Sequence, residues 1–506
     1  MICVILNDSS FSYDVHSLTK AFYPSEDVSL MTPGPAAGSC FCTENADEKV
    51  IRIDVEENTI RIAASKGTLT AEVPAGAERK EVKNILKRTL YTALSEETGH
   101  PLPWGTLSGI RPVKIPMRMR MAGATADEAK QYFQNTYLAD ASRTELASGI
   151  AERELKVLRG EEPLSSGKKA AGGLEAILHG WSLYISTPFC PSICLYCSFP
   201  SGTIGTYKKQ VEPYLQALEH ELRAVAEMMR GKHLYSVYIG GGTPTALTTA
   251  QLGRIMDLTE ELFDLSSLLE YTVEAGRPDT ITKEHLAGMR AHGVTRVSVN
   301  PQTMHQRTLD LVGRCHTTED TKRAFSLARE AGFEDINMDL IIGLPGESEA
   351  DILETIAAVR DLSPDALTVH SLAVKRSSRL HEQIERYKNA GAGISEQTMD
   401  KVIAAEEAAG LMPYYLYPQK NIAGNLENIG FAKYGKAGLY NILIMEELHT
   451  VMAAGAGAIS KIVFPDGERI ERAANVSDIL HYLTRTDEMI ERKKQVLAKV
   501  REGTIL

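Results

Sequence analysis

Cys190, Cys194 and Cys197 stand in a C-x3-C-x2-C spacing, Cys190-Pro-Ser-Ile-Cys194-Leu-Tyr-Cys197. Thiolates are the ligands that hold iron–sulfur clusters. Three of them this close together can hold three irons of a four-iron cube and leave the fourth iron open. The amino and carboxylate groups of a methionine can chelate an open iron. An electron can then pass into the sulfonium of S-adenosylmethionine (SAM) and break its C–S bond. Two other readings compete. Buried free thiols are seldom so crowded, and structural zinc usually takes four Cys or His ligands. No fourth ligand lies nearby, since Ser186 and Phe199 flank the triad.

Further along, Gly240-Gly241-Gly242-Thr243-Pro244-Thr245 follows an apolar strand. Glycines there let the backbone approach a ligand closely, or simply make a tight turn. Glu274, between Val273 and Ala275, is either a salt-bridged rim residue or a ligand-binding carboxylate. Asp339 is a charge inside the apolar run Met338–Ile342 and must find a partner. A sugar hydroxyl would serve, as would Arg296 or Lys322. His370 and Lys375-Arg376 close the last strand, where a cationic loop could meet substrate carboxylates. Cys315, beside His316, reads as an incidental thiol.

The elements that must carry these residues are legible in the pattern. Six short β-type runs appear at Leu183–Thr187, Tyr235–Ile239, Tyr271–Ala275, Arg296–Val299, Ile336–Ile342 and Ala366–His370. Amphipathic helical segments separate them, among them Val211–Arg230, Thr249–Phe263, Thr318–Ala331 and Glu349–Asp361. Such alternation implies right-handed crossovers and a parallel sheet. The fold class is therefore α/β. Six units suit a partial (β/α)6 barrel, with an open doubly wound sheet as the competing arrangement. Every motif loop follows a strand, which places them all at the carboxyl ends, where sites are built.

Residues 1–160 read as a small N-terminal α+β domain of unknown role. It has a hairpin at Lys49–Val55 and Thr59–Ala63 and a helix at Arg79–Thr98. The Gly-rich stretch 161–175 reads as a linker or edge loop. The barrel then spans 176–395, and 396–506 reads as a C-terminal, mostly helical extension. The net charge of −11 leaves no basic footprint for nucleic acid. No apolar run reaches the roughly 20 residues that span a bilayer. The N-terminus carries no secretory signal pattern. Seven cysteines make an odd count and a poor disulfide framework, which suits a reducing, cytoplasmic setting.

The order and spacing of these motifs resemble the radical-SAM superfamily over roughly residues 183–460. More narrowly they resemble the oxygen-independent coproporphyrinogen III oxidase group, which holds the HemN decarboxylases, the HemW haem-binding proteins and the HemZ proteins. Gly109-Ile110-Arg111-Pro112-Val113-Lys114 and Tyr417-Pro418-Gln419-Lys420-Asn421-Ile422-Ala423-Gly424-Asn425 look specifically like the HemZ branch. The resemblance implies a [4Fe–4S] cluster on Cys190, Cys194 and Cys197. It implies SAM contacts at Gly241, Gly242, Thr243, Glu274, Gln302, Arg314 and Asp339, and a substrate-side tyrosine at Tyr184. The implied reaction removes a hydrogen from the β-carbon of a propionate, then carbon dioxide and one electron, leaving a vinyl group. Two such rounds turn coproporphyrinogen III into protoporphyrinogen IX. The implied partners are a tetrapyrrole and an electron donor. A haem- or porphyrin-binding chaperone, or radical chemistry on another tetrapyrrole, are the alternatives.

The chain departs from the HemN pattern at Phe199, where those enzymes carry a further cysteine, and at Ser186, where they carry a histidine. It departs from the HemW His-Asn-x-x-Tyr-Trp motif at Tyr440-Asn441-Ile442-Leu443-Ile444-Met445, which keeps the Asn alone.

Overall fold

The computed structural model describes residues 1–24, 26–32, 49–107, 111–387, 394–418 and 426–503. Cys40, Cys42, Gly109, Ile110 and 419–425 lie outside the described residues. Two compact units emerge, Met1–Ala151 with Leu416–Glu427, and Glu152–Tyr415 with Asn428–Leu506.

The first unit is built on β1 (Ile2–Leu6), β2 (Val28–Met31), β3 (Lys49–Val55), β4 (Thr59–Ala64) and β5 (Gly67–Glu72), in the order β2-β1-β3-β4-β5. The β3–β4 hairpin pairs Val55 with Ile60 and Arg52 with Ala63. Period-two alternation turns Ile51, Ile53, Ile60 and Ile62 inward. Helices α1 (Ser12–Phe22) and α2 (Arg79–Thr98) cover them with Val15, Leu18, Leu86, Leu90 and Leu94. Then come α3 (Lys114–Met121), α4 (Ala126–Tyr137) and α5 (Ala141–Leu158). Glu427 returns to this unit fully buried, taking a hydrogen bond from Trp104 Nε1 at 2.8 Å and an ion pair from Arg143 Nε at 3.1 Å.

The second unit opens with α6 (Gly173–His179) and continues through β6 (Trp181–Thr187), the short pair β7 (Phe189–Cys190) and β8 (Gly202–Thr203), α7 (Val211–Met228), β9 (Leu234–Gly241) and α8 (Thr249–Leu262). Next are β10 (Glu270–Gly276), α9 (Lys283–Ala291), β11 (Arg296–Val299), α10 (Gln306–Leu311), α11 (Thr318–Glu330), β12 (Ile336–Ile342), α12 (Glu349–Arg360) and β13 (Ala366–Ser371). Strands β6, β9, β10, β11, β12 and β13 lie side by side in that order, all parallel. These are the six expected runs, and the sheet is open, as a partial barrel requires. Thr248, Thr317 and Ser348 start α8, α11 and α12 as capping boxes.

Residues 161–172 run as an anchored loop, and α6 takes up 173–175. Arg153 holds Glu162 at 2.8 Å, and Ser165 Oγ donates to Asp335.

The C-terminal region holds α13 (Arg379–Glu382), α14 (Glu396–Ala408), β14 (Met412–Pro418), β15 (Glu427–Ala432), α15 (Leu439–Glu446), β16 (Thr450–Ala454), β17 (Ile459–Val463), β18 (Ile470–Ala474) and α16 (Ile479–Gly503). More of its residues lie in helices than in strands, but its strands extend the sheet at both edges. β15 pairs antiparallel with β13, and β16 pairs parallel with β6, giving β14-β15-β13-β12-β11-β10-β9-β6-β16-β17-β18. No described helix is long and apolar enough to cross a membrane.

Candidate active site

Strand β6 delivers the cysteine loop. Cys190 lies in β7, which β8 pins in parallel, with Ile204 N donating to Cys190 O at 2.8 Å. The loop then turns over Cys194, whose carbonyl accepts from Cys197 N at 3.2 Å, while Leu195 N donates to Val312 O at 2.9 Å. Cys194 is buried and the other two are half-buried. Burial pushes the Cys197 thiol up to about 11 and raises that of Cys190. Free thiolates are therefore disfavoured there unless a cation holds them.

The geometry separates zinc from a cluster. A zinc ion with Zn–S bonds of about 2.3 Å keeps its sulfurs within about 4.6 Å of one another. Among the described residues, the group whose ligand atoms all lie within 4.8 Å is His305, Asp351 and Glu354, not the three cysteines. The triad is not gathered around a single ion, and three closely spaced cysteine thiolates without a fourth ligand are a donor set that suits an iron–sulfur cube. His305, Asp351 and Glu354 are already engaged: Asp351 caps α12 and pairs with Arg307, and His305 Nε2 hydrogen-bonds with the Asp351 carbonyl.

The glycine loop packs directly against the strand and loop that carry Cys190. Gly242 N donates to Thr187 O at 2.7 Å, and Thr243 N to Phe189 O at 2.8 Å. A Cβ on Gly242 would lie 2.7 Å from the Phe189 carbonyl and 3.0 Å from Cys190 Sγ. Gly241 adopts φ +104°, and a Cβ there would meet Ser186 Oγ at 2.7 Å. Thr243 Oγ1 reaches Cys190 Sγ at 3.6 Å. The tight turn and the close approach are thus one feature.

Beside these lie the polar positions of the parallel strands. Tyr184 and Tyr238 are paired in register, and their rings stack with Tyr440 of α15, Tyr238 to Tyr440 at 4.4 Å. Tyr238 Oη donates to Glu274. Burial pushes the Glu274 carboxyl up to about 7, with that hydrogen bond opposing and the Asp339 charge adding to the rise. Neither Arg296 nor Lys322 partners Asp339: Arg296 pairs with Asp335 at 2.6 Å and Lys322 with Glu319 at 2.6 Å. Asp339 accepts from Asn337 Nδ2 at 2.7 Å and lies 3.9 Å from His370 Nε2. Burial works to raise its carboxyl, but hydrogen bonding and charge from His370, with Asn337 and Thr368, hold it below the usual range.

Gln302 sits at φ +71°, held by Gln302 N donating to Asp339 O at 3.0 Å, and its side-chain oxygen is buried without a partner. Arg314 is buried; Nη1 points to Cys194 Sγ at 3.8 Å and to Tyr196 Oη at 3.2 Å, while Nε has no partner. Orphaned polar atoms in such a place fit a bound polar ligand. Lys375 is half-buried, its ammonium destabilised by burial and favoured in turn by the nearby Cys197. Arg376 is exposed. Cys315 is exposed, with Sγ 4.0 Å from Ser192 Oγ. Sequence reasoning missed Tyr238, Tyr440 and Arg277. The pair Arg277-Pro-Asp279, opposite charges in a loop right after a site-bearing strand, was the available signal.

Residues 184–359 match the radical SAM superfamily. A Bacillus subtilis protein named oxygen-independent coproporphyrinogen-III oxidase-like protein HemZ is 36% identical over 427 residues, 83% of each chain. The chain belongs to the radical-SAM family of HemZ, HemW and HemN. Within that family, heme chaperone HemW of Bacillus subtilis is 32% identical over 60% of this chain and 75% of its own. The solved HemN structure, a coproporphyrinogen III oxidase from Escherichia coli, is 25% identical over 63% of this chain and 73% of its own, with a TM-score of 0.49. The cofactors of this family are a [4Fe–4S] cluster and SAM. The C-x3-C-x2-C donor set fits the cluster, and the orphaned Gln302 and Arg314 atoms fit a polar ligand beside it.

Proposed function

We propose that the chain is a radical-SAM oxidoreductase that decarboxylates tetrapyrrole propionates oxidatively, turning coproporphyrinogen III into protoporphyrinogen IX without oxygen. One observation carries the reading. The cysteine loop, the glycine loop, Glu274, Gln302, Arg314 and Asp339 converge at the carboxyl ends of one parallel sheet. When bound, the cluster and SAM supply one-electron chemistry able to take a hydrogen atom from an unactivated carbon. In this reading Cys190, Cys194 and Cys197 hold the cluster. Gly241, Gly242 and Thr243 offer backbone groups to the amino-acid end of SAM. Glu274, Gln302 and Arg314 orient it, and Asp339, kept ionised, accepts from a sugar hydroxyl. Tyr184, clustered with the Tyr238 and Tyr440 rings, is the substrate-side tyrosine in this reading. Lys375 and Arg376 are candidate partners for the propionates. Phe199, 66% exposed beside the cysteine loop, offers an aromatic face to a tetrapyrrole. A reducing cytoplasm is the setting that suits this chemistry.

A second reading, haem or porphyrin delivery with the cluster retained, is favoured by the HemW relative. Against it, Asn441 is spent on Tyr414 Oη at 2.9 Å, and Tyr440, in the place of the motif's histidine, lies buried in the ring stack. The test is an anaerobic assay of the reconstituted chain with SAM, reductant and coproporphyrinogen III, with Cys194→Ala as control. Protoporphyrinogen and methionine are the expected products. Stoichiometric haem retention without SAM turnover would instead support delivery, and SAM cleavage without porphyrin turnover would point to radical chemistry on another tetrapyrrole or an unrelated substrate.

A further inference from the structure

Arg277 stands in the loop after β10 and is 3% exposed. Its guanidinium is gripped from one side by Asp279, with Nε to Oδ1 and Nη2 to Oδ2 both 3.0 Å. The remaining nitrogen, Nη1, turns to the cysteine loop. It donates to Ser192 Oγ at 2.9 Å and points to Cys194 Sγ at 3.9 Å. Ser192 Oγ in turn donates to Gly313 O at 2.9 Å, next to Arg314, whose own Nη1 points at the same sulfur from 3.8 Å. His316, fully buried 3.9 Å from Asp279, adds no cation, since burial and the Arg314 charge push it down to about 4. Two fixed guanidinium groups therefore converge on one of the three thiols, and a carboxylate partly offsets one of them.

A bidentate pair whose carboxylate reaches solvent is weak support for stability, because water screens the attraction. What it does provide is a cation in a fixed place. An iron–sulfur cluster gains negative charge on reduction, and its potential follows net charge, solvent exposure and hydrogen bonds to the ligating sulfurs. We propose that Arg277 is a positioning residue that sets the cluster's reduction potential: held by Asp279 and Ser192, it presents a positive N–H to the Cys194 corner and favours the reduced cluster. The inference rests on the reading that Cys190, Cys194 and Cys197 hold the cluster, and is independent of the substrate.

The experiment is an EPR-monitored redox titration of the full, anaerobically reconstituted chain, with iron and sulfide counted in each sample. Arg277→Gln removes the cation and is expected to move the potential to more negative values. Asp279→Asn removes the offsetting anion and is expected to move it to more positive values. Arg277→Lys keeps the charge and is expected to stay nearer the wild type than Arg277→Gln. A fully loaded Arg277→Gln protein with the wild-type potential overturns the proposal. Should that variant fail to load, an unmoved potential in Asp279→Asn overturns it equally. A wild-type chain that binds no iron refutes the ligand assignment instead, so the two failures are told apart.

Discussion

At the scale of the residue, Glu274 makes the clearest prediction. Its carboxyl is raised from 4.5 to about 7, mainly by burial. The folded chain thus holds a proton there that the unfolded chain has already released. A raised carboxyl contributes its full stability below its unfolded pKa and loses it as pH rises through the folded value. In the cofactor-free protein, Glu274→Gln is expected to flatten the fall in stability between about pH 4.5 and pH 7. Urea midpoints measured across that range check it, and parallel curves for wild type and variant would contradict it. Asp339 carries a lesson at the same scale. Its need for a partner was legible, but not the partner, because pairing depends on strand register. Arg296 lies on β11 beside Asp335, whereas His370 lies on β13 opposite Ile341, next to Asp339.

At the scale of the element, the six parallel strands could be read from their apolar runs because both faces of such strands are covered. The C-terminal strands were hidden for another reason. β16 (Thr450–Ala454) sits in a run whose small residues, Ala453 to Ala458, look like a turn-rich segment. Their smallness is a packing requirement. Gly455 has φ +99°, and a Cβ there would meet Ser186 O at 2.5 Å and Tyr214 Oη at 2.6 Å. Ser186, the position where HemN enzymes carry a histidine, is spent holding this loop, with Oγ donating to Ala456 O at 2.9 Å.

A buried network fixes the loop from behind. Glu221 of α7 accepts from Gly455 N at 2.7 Å, Tyr482 Oη at 2.6 Å and Lys493 Nζ of α16 at 2.6 Å. Both charges are fully buried. Lys493→Ala leaves Glu221 without its cation and is expected to cost about 3–5 kcal/mol. Arg230→Ala, which breaks an exposed pair with Glu227, is expected to cost within about 1 kcal/mol. Chemical denaturation of the two variants measures the contrast, and equal costs would contradict it.

At the scale of the whole molecule, a chain of net acidic charge gathers cations at its cysteine loop. A net charge of −11 surrounds a cysteine loop that receives Arg277, Arg314 and the neighbourhood of Lys375. That contrast suits an anionic cluster held in an otherwise acidic protein. In the first unit buried Glu427 ties Arg143 to Trp104, and the cysteine loop, the glycine loop, Glu274, Gln302, Arg314 and Asp339 all belong to the second unit.

The claim on which everything else depends is that three thiols hold a cube with one corner open to SAM. Its most direct test is the EPR spectrum of the reduced, anaerobically reconstituted chain, recorded with and without SAM. The account predicts a four-iron signal that changes shape when SAM is added and is absent from Cys194→Ala. A signal that SAM leaves untouched, or no iron–sulfur signal in the wild-type chain, would contradict it.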